Sequence, residues 1–313
     1  MKSHVAAWVI FSSLVSVACQ SPTDHVRVGV TTIEPSPKPS WNPDETGDIA
    51  RELERLSQLV QEGMERESPC PKNSVLVEGD YCPRVSQTCL QWVTIRGEAL
   101  PEAKPIDGES GRCGTFKFPT VCLEKKVHVR FCIDKYELPN VEGRPPNSWM
   151  SFYDVRDECI SRGERLCEKS EWTFACEGPD MHPLPYGDGY HRNSNDCNID
   201  KRLPDEIKNA ASISDPLSKE GVLLDSLRVP AGSMPRCVSP FGVFDMVGNI
   251  DEFVHYSQGH VGTGDPSDRG PYTSELVGGH YFGVRNACRP MTAHDEHFHW
   301  YETGGRCCSN PKR

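Results

Sequence analysis

Fifteen cysteines are the feature of this 313-residue chain that most restricts what it can fold into. Cysteine at this density is typical of exported proteins, in which thiols oxidise to disulfides, and a reduced protein with buried thiols is the less favoured alternative. If Cys19 is set aside, fourteen cysteines remain, an even number that allows up to seven disulfides. No pair of closely spaced CxxC units occurs, so a zinc site is not predicted.

The N-terminal segment also indicates export. Residues 5–17 are mostly apolar but too few to span a bilayer as a stable helix. They lead into Ser16-Val17-Ala18-Cys19, which resembles the lipobox of bacterial lipoproteins, where the cysteine is lipidated after cleavage. The sequence therefore predicts a signal peptide at 1–18, a lipid anchor at Cys19, and a location in the bacterial cell envelope, periplasmic or on the outer-membrane surface. A plain secretory signal cleaved near Ala18 is the alternative.

Charge and composition exclude several classes of protein. Lys and Arg total 34 against 45 Asp and Glu, so a nucleic-acid partner held through phosphate contacts is not expected. The 26 glycines and 26 prolines favour a loop-rich α+β or β fold over a helical bundle or a coiled coil.

The chain is organised into a tether, a helix and two cysteine-containing parts. Residues 19–47 are rich in proline and predict an extended tether, and residues 68–127 form a Cys-rich segment with a strand-like run at 74–77. Residues 48–67 carry apolar side chains at steps of three and four, which predicts an amphipathic helix. We interpret this helix as packing on its own domain or standing as a stalk; a partner-binding coiled coil is the alternative.

Two further helices are predicted within the main domain, which covers residues 128–308. In the helix Ser151–Arg162, the side chains of Phe152, Val155 and Ile160 share one face. In the helix Glu168–Glu177, three side chains point inward; they are Trp172, Ala175 and Cys176.

Seven short segments follow one another in this domain. They are FCIDKYE at 131–137, RLCEKSEW at 165–172, LPYGD at 184–188, CNID at 197–200, FGVFDMVGNIDEF at 241–253, GGH at 278–280 and GGRCC at 304–308. Together and in this order they resemble the sulfatase-modifying-factor family, whose founding member is the formylglycine-generating enzyme. The resemblance implies an irregular, disulfide-rich α+β fold, a variant of the C-type-lectin fold. The chain departs from the family pattern at Cys167, Asp251, Phe253, His280 and Gly305.

The longest of these segments predicts a calcium site. Asp245 and Glu252 flank a turn at Gly248, where the carbonyls of Gly248 and Ile250 can face inward. Two carboxylates with carbonyl oxygens form the kind of cage that Ca²⁺ prefers. The alternative is that Asp245 caps a turn and Glu252 pairs with an arginine. The family resemblance implies calcium at these positions.

The resemblance implies a second calcium site as well. Its ligands include the side chain of Asn198 and the carbonyl of Ile199, and its other half falls near Asp225 and Leu227. The spacing of that half departs from the family pattern by about two residues.

Catalysis of the family's copper type depends on two thiolates five positions apart, since Cu(I) prefers soft sulfur ligands. The corresponding positions here are Gly283 and Cys288, and one thiolate cannot make a two-coordinate copper site. A structural disulfide is therefore the favoured interpretation of Cys288. Copper and iron are not expected as cofactors.

A second catalytic possibility comes from another branch of the family, which uses non-haem iron. His294, His297 and His299 lie beside two acidic residues and could build a facial triad of two histidines and a carboxylate. A polar loop that binds no metal is the favoured alternative.

The sequence thus predicts an exported, lipid-anchored protein whose calcium-stabilised domain binds a protein or glycan ligand without catalysis. The alternative is a metal-dependent oxidoreductase, using non-haem iron or copper, of the same family. No nucleophile elbow or nucleotide-binding glycine loop is present.

Overall fold

The computed structural model describes residues 50–59, 68–94, 98–100, 112–260, 272–282 and 285–312, with backbone alone at 211, 258–260 and 272. The predicted signal peptide and tether, Cys19 and Gly283 lie outside the described residues. The chain divides into two units, Met1–Ser57 and Gln58–Arg313. Residues 50–59 are helical (α1) and lie within the predicted helix 48–67. Three leucines of α1 are exposed: Leu53, Leu56 and Leu59.

No helix in the described part of the chain is both long and apolar enough to cross a membrane.

Twelve strands and three further α-helices are found in the described residues of the second unit. The strands are β1 (Ser74–Tyr81), β2 (Val85–Ser86), β3 (Cys89–Trp92), β4 (Cys113–Phe116), β5 (Val121–Cys122), β6 (Val127–Asp134), β7 (Arg165–Leu166), β8 (Asp251–His260), β9 (Tyr272–Val277), β10 (Met291–Ala293), β11 (Thr303–Gly304) and β12 (Cys307–Ser309). The helices are α2 (Phe152–Ser161), α3 (Lys169–Glu177) and α4 (Lys219–Asp225), with a 3₁₀ turn at Ala210–Ser212.

The strands form two four-stranded sheets and two small hairpin-like pairs. The first sheet has the order β1-β6-β12-β7 and is antiparallel throughout. The second has the order β10-β9-β8-β11, with β11 parallel to β8. β2 pairs with β5, and β3 pairs with β4. Because β1 pairs with β6 along its whole length, the Cys-rich segment contributes an edge strand to the sheet of the main domain.

Helix α2 begins and ends where the sequence predicts. Ser151 is the N-cap, and its side chain and that of Asp154 form a reciprocal capping box, which satisfies backbone N–H groups at the start of the helix. The predicted shared face is wrong in one member, because Ile160 is 58% exposed and Cys159 is buried instead. A residue seven positions after Phe152 lies only about 20° from it around the helix axis, and the eighth lies about 80° away.

Helix α3 packs against both large sheets. Trp172, Ala175 and Cys176 are fully buried, which confirms their predicted inward orientation. The indole Nε1 of Trp172 donates a hydrogen bond of 2.9 Å to Glu252 on β8. This contact fixes the helix over the segment that carries the predicted calcium ligands.

The prediction of seven disulfides is confirmed. They are Cys70–Cys132, Cys82–Cys122, Cys89–Cys113, Cys159–Cys307, Cys167–Cys308, Cys176–Cys288 and Cys197–Cys237. Several of these sulfurs lie in the main hydrophobic core beside Trp172 and Phe174. The core is therefore built from covalent cross-links as well as from packed apolar side chains.

Candidate functional site

The turn that follows residue 244 has an unusual backbone. Asp245, Gly248 and Asn249 have φ values of +57°, +82° and +60°, all in the left-handed region. Gly248 is required for two reasons: its φ is positive, and an added Cβ would lie 2.4 Å from the carbonyl oxygen of Asn198. The turn is thus pressed against residues 198–199, so the structure brings the two predicted calcium sites side by side.

Glu252 makes the arginine pair that the sequence left open as an alternative. Its carboxylate is buried and accepts two hydrogen bonds of 2.7 Å from Arg306, one from Nε and one from Nη2. Its Oε2 also accepts the hydrogen bond from Trp172. Both oxygens of Glu252 are therefore occupied by donors within the protein.

Two more buried acids lie around the same arginine. Glu137 accepts hydrogen bonds from the side chain of Asn249, at 2.7 Å, and from the backbone N–H of Ile250, at 3.3 Å. Asp245 accepts one of 2.9 Å from the N–H of Gly232. Burial, and then the charges of Asp245 and Glu252, raise the pKa of Glu137 well above its usual range. Burial also raises the pKa of Asp245 to about 6.

The acids of this cluster, which we call the acid cluster, outnumber its one buried cation. Its carboxylates are Glu137, Asp245 and Glu252, and its cation is Arg306. Burying a charge without a partner costs free energy, so a further hard cation bound among these carboxylates would be electrostatically favourable. Asp245 and the carbonyls of Gly248 and Ile250 fit such an ion in donor chemistry, whereas Glu252 would have to share its oxygens with Arg306.

The second predicted site contains an orphaned oxygen. The amide nitrogen of Asn198 donates to the carbonyl of Leu227 and to Asn249 Oδ1, both at 3.0 Å, while Oδ1 of Asn198 is buried without a hydrogen-bond partner. A bound cation would satisfy a buried oxygen of this kind. Asn198 and Leu227 therefore meet as the resemblance implies, next to the buried Ile199.

Asp225, the other predicted member of that site, is engaged elsewhere. Its Oδ1 accepts hydrogen bonds from Ser148, at 3.0 Å, and from the indole of Trp149, at 3.1 Å. Its Oδ2 lies 3.1 Å from Nη2 of Arg228. Its carboxylate is thus held by three donors of the protein.

The catalytic candidate Cys288 carries no free thiol in this structure. It is bonded to Cys176 on α3, as the favoured interpretation of the sequence predicts. All fourteen cysteines of the described residues are disulfide-bonded, so none of them offers a thiolate to copper. The other position of the family's copper pair, Gly283, lies outside the described residues.

The three candidate histidines point to different neighbours. The ring of His294 stacks on Phe298 at 4.1 Å between centroids, and the ring of His297 lies 4.8 Å from that of Tyr153. His299 is exposed, and its Nδ1–H donates to the carbonyl of His297 at 3.0 Å. Burial, and then the charge of Arg285, lower the pKa of His294 to about 4.

These histidines do not assemble a metal-binding triad. Within the described ranges, one group of three His, Cys, Asp or Glu side chains has its ligand atoms within 4.8 Å of one another, and it contains no histidine: Asp134, Glu164 and Cys307. The sulfur of Cys307 is in a disulfide, so this group lacks one of its three donors.

Sequence reasoning missed two members of the acid cluster. Glu137 belongs to the FCIDKYE segment and Arg306 to the GGRCC segment, so both stood in motifs that had been recognised. Their signal was a charged residue within a family motif: Glu137 ends the first segment, and Arg306 precedes the two cysteines of the other.

Comparison with known proteins identifies the family. The sequence model described as "Sulfatase-modifying factor enzyme 1-like domain" matches residues 127–310. No curated protein matches the chain.

Among solved structures, the crystal structure of CarF is similar to 78% of this chain and 99% of its own, with 13% identity and a TM-score of 0.45. PvdO from Pseudomonas aeruginosa is similar to 78% of this chain and 97% of its own, with 16% identity and a TM-score of 0.44. Variable protein 1 of Treponema denticola is similar to 66% of this chain and 94% of its own, with 13% identity and a TM-score of 0.38.

Since the family match covers more than half of the chain, this protein belongs to the sulfatase-modifying factor family and has the irregular, disulfide-rich α+β fold of the formylglycine-generating enzyme.

Proposed function

We propose that this protein is a non-catalytic member of its family, in which the domain binds a protein or glycan ligand. The observation that carries the proposal is the disulfide between Cys288 and Cys176. A sulfur in a disulfide is not the thiolate that Cu(I) needs, so the family's copper chemistry lacks its ligand here. The dispersed histidines give no support to the iron-dependent alternative.

Calcium is part of the proposal as a stabilising ion. Asp245, Glu252 and the carbonyls of Gly248 and Ile250 would hold one ion, and Asn198 with Ile199 would hold a second. The excess of buried carboxylates and the orphaned Oδ1 of Asn198 support this assignment. The ion would supply positive charge to a buried acidic region and thereby stiffen the turn that carries Gly248.

We also propose a lipid anchor and a location in the bacterial cell envelope. The support is the Ser16-Val17-Ala18-Cys19 segment together with the disulfide content, since disulfides persist in oxidising compartments. The fourteen cysteines of the described residues pair among themselves, so none of them needs Cys19 as a disulfide partner.

The absence of catalysis is tested with a substrate peptide. The purified, oxidised protein is supplied with Cu(I), oxygen and a sulfatase-type peptide that contains the reactive cysteine, and the products are read by mass spectrometry. We expect the peptide cysteine to remain unchanged. A peptide converted to formylglycine would overturn the proposal outright.

A further inference from the structure

A cavity of ≈ 330 Å³ lies between the β3–β4 pair and the segment at 285–290. Twelve of the described residues line it, of which four are arginines and none is acidic; the arginines are Arg112, Arg192, Arg285 and Arg289. This composition is unusual in a chain whose net charge is −11. The size is within the range of pockets that bind small molecules. We call this cavity the arginine pocket.

Buried acids hold three of these arginines from behind. Arg192 lies 2.7 Å from Asp200, and Arg289 lies 2.6 Å from Glu177. Arg285 pairs with Asp251. None of the three acids lines the pocket, so the carboxylates orient the guanidinium groups from outside it. Most N–H groups of Arg192 and Arg289 are used by oxygens of the protein, so these two arginines shape the pocket.

One of these guanidinium groups has an unused donor. Nε of Arg285 is buried and makes no hydrogen bond, although guanidinium N–H groups are strong donors that cost energy when left unsatisfied. Arg112, which is 6% exposed, also lines the pocket. Such a group of donors suits an anionic oxygen.

The opposite part of the pocket is apolar. Trp92 and Phe116 are half-buried there, one on each strand of the β3–β4 pair. The disulfide Cys89–Cys113 links these strands and lines the pocket as well. A rigid aromatic wall of this kind suits the flat, apolar part of a small ligand.

We propose that the arginine pocket binds a small organic anion. Its carboxylate, sulfate or phosphate group is held by Arg285 and Arg112, and its apolar part lies against Trp92 and Phe116. This assignment rests on the proposed function, for which it names a ligand site and a ligand class.

Calorimetry on the full, oxidised protein tests the pocket with three probes: benzoate, phenyl phosphate and the neutral benzyl alcohol. We expect at least one of the two anions to bind, and benzyl alcohol to bind roughly tenfold more weakly or not at all. Arg112→Gln should weaken binding of the anion by roughly tenfold to a hundredfold, the usual effect of losing a hydrogen bond to a charged group. Arg130→Gln, on the exposed side of β6, removes the same charge outside the pocket and should leave the affinity unchanged.

A second measurement uses the unmodified protein, in case Arg112→Gln does not fold. Phenylglyoxal labels arginines, and mass spectrometry locates the labels with and without the bound anion. We expect the anion to protect Arg112 and Arg285 and to leave Arg130 as reactive as before. Equal labelling of the pocket arginines in both samples would overturn the proposal.

The outcomes separate this site from the proposed function. If neither anion binds, or if benzyl alcohol binds as well as the anions do, the pocket assignment is wrong while the non-catalytic function stands. Formation of formylglycine in the peptide assay would overturn the non-catalytic function whether or not an anion binds.

Discussion

His280 is one of the positions at which the chain departs from the family pattern, and its environment is unusual for a histidine. It is 5% exposed, and its ring lies 5.3 Å from that of Tyr281 and 6.0 Å from that of Tyr301. Burial, and then the charges of Arg285 and Arg112, lower the pKa of His280 to about 3. The imidazole is therefore neutral in the folded protein at neutral pH.

This histidine predicts a specific loss of stability in acid. Unfolding restores the imidazole pKa to about 6.5, so below that pH the unfolded chain binds a proton that the folded chain does not. The free energy of unfolding contributed by His280 should fall by about 2 kcal/mol between pH 7 and pH 5. Urea unfolding of wild type and of His280→Gln at both pH values measures this effect. The difference in unfolding free energy between the two proteins should change by that amount from pH 7 to pH 5.

The comparison must be made as a difference because other groups titrate in the same range. Burial raises the pKa of Glu177 to about 7, so its contribution to stability falls as the pH rises through this range, which opposes the effect of His280. That contribution is common to both proteins. Unfolding curves of wild type and His280→Gln that shift in parallel from pH 7 to pH 5 would contradict the assignment.

At the residue scale, the sequence predicted single partners better than it predicted groups. A disulfide at Cys288 was the favoured interpretation of the sequence, and pairing of Glu252 with an arginine was the alternative to a calcium site there; both are found. The identity of the arginine was not predicted, because Arg306 lies 54 residues from Glu252 and motif spacing does not encode such a contact. The three histidines at 294–299 are close in sequence, but their rings do not meet, because neighbouring residues of a loop direct their side chains to different surroundings.

Strand β12 is the element with the greatest covalent constraint. Its adjacent cysteines 307 and 308 point to opposite faces of the strand, as neighbouring residues in a strand do. Cys307 bonds to Cys159 on α2, and Cys308 bonds to Cys167 just before α3. The two disulfides therefore tie both helices to the centre of the first sheet.

The two disulfides should not act independently. With Cys167–Cys308 intact, the loop closed by Cys159–Cys307 has about 10 residues; without it, the loop runs through Cys176–Cys288 and has about 36 residues. Removing both pairs by Cys→Ala substitution should therefore cost about 1 kcal/mol more than the sum of the two single losses, because closing a longer loop restricts the unfolded chain more. Urea unfolding of the four proteins measures this.

A matched control is available in the same chain. The disulfide Cys89–Cys113 encloses a separate loop, with a separation of 24 residues. Combining its loss with the loss of Cys159–Cys307 should give additive changes in unfolding free energy. Additivity for the β12 pair as well would show that the coupling through the strand is absent.

At the element scale, the sequence predicted the helices from local spacing but did not predict which strands pair. The spacing of apolar residues placed α2 and α3, because helix hydrogen bonds join residues four apart. The pairing of β1 with β6 and the parallel pairing of β11 with β8 depend on residues far apart in the chain. Neither could be derived from the pattern within a strand.

At the scale of the whole molecule, the proposed calcium ions predict sensitivity to chelation. The acid cluster holds three buried carboxyl groups around the one cation Arg306, and a bound calcium ion would stabilise their ionised form, so removal of the ion should destabilise the entire domain. At a calcium concentration 100 times the dissociation constant, one ion adds about 2.7 kcal/mol to the free energy of unfolding. Thermal unfolding with excess calcium and with EDTA should therefore give a lower melting temperature in EDTA.

Asp245→Asn provides the matched variant. Asparagine tolerates the left-handed backbone found at Asp245, so the change removes a charge with little strain. The variant should lose part of the calcium-dependent shift, the remainder belonging to the site at Asn198. Identical shifts in wild type and Asp245→Asn would contradict calcium binding at the acid cluster.

Composition and motif order were enough to predict the class of the whole molecule. The cysteine count predicted the seven disulfides, and the ordered motifs predicted the family and its fold, which the match over 127–310 confirms. The arginine pocket was not predicted, because its arginines come from three distant parts of the chain, near residues 112, 192 and 285–289, which meet only in the folded protein.

The central claim is that the sulfur of Cys288 supports the fold and is not free for chemistry. The most direct test isolates the exported protein without reductant, alkylates it under denaturing conditions, and maps every cysteine by mass spectrometry. The account predicts a cross-linked peptide that joins Cys176 to Cys288 and no alkylation at either residue. An alkylated Cys288, free as a thiol in the native protein, would contradict it.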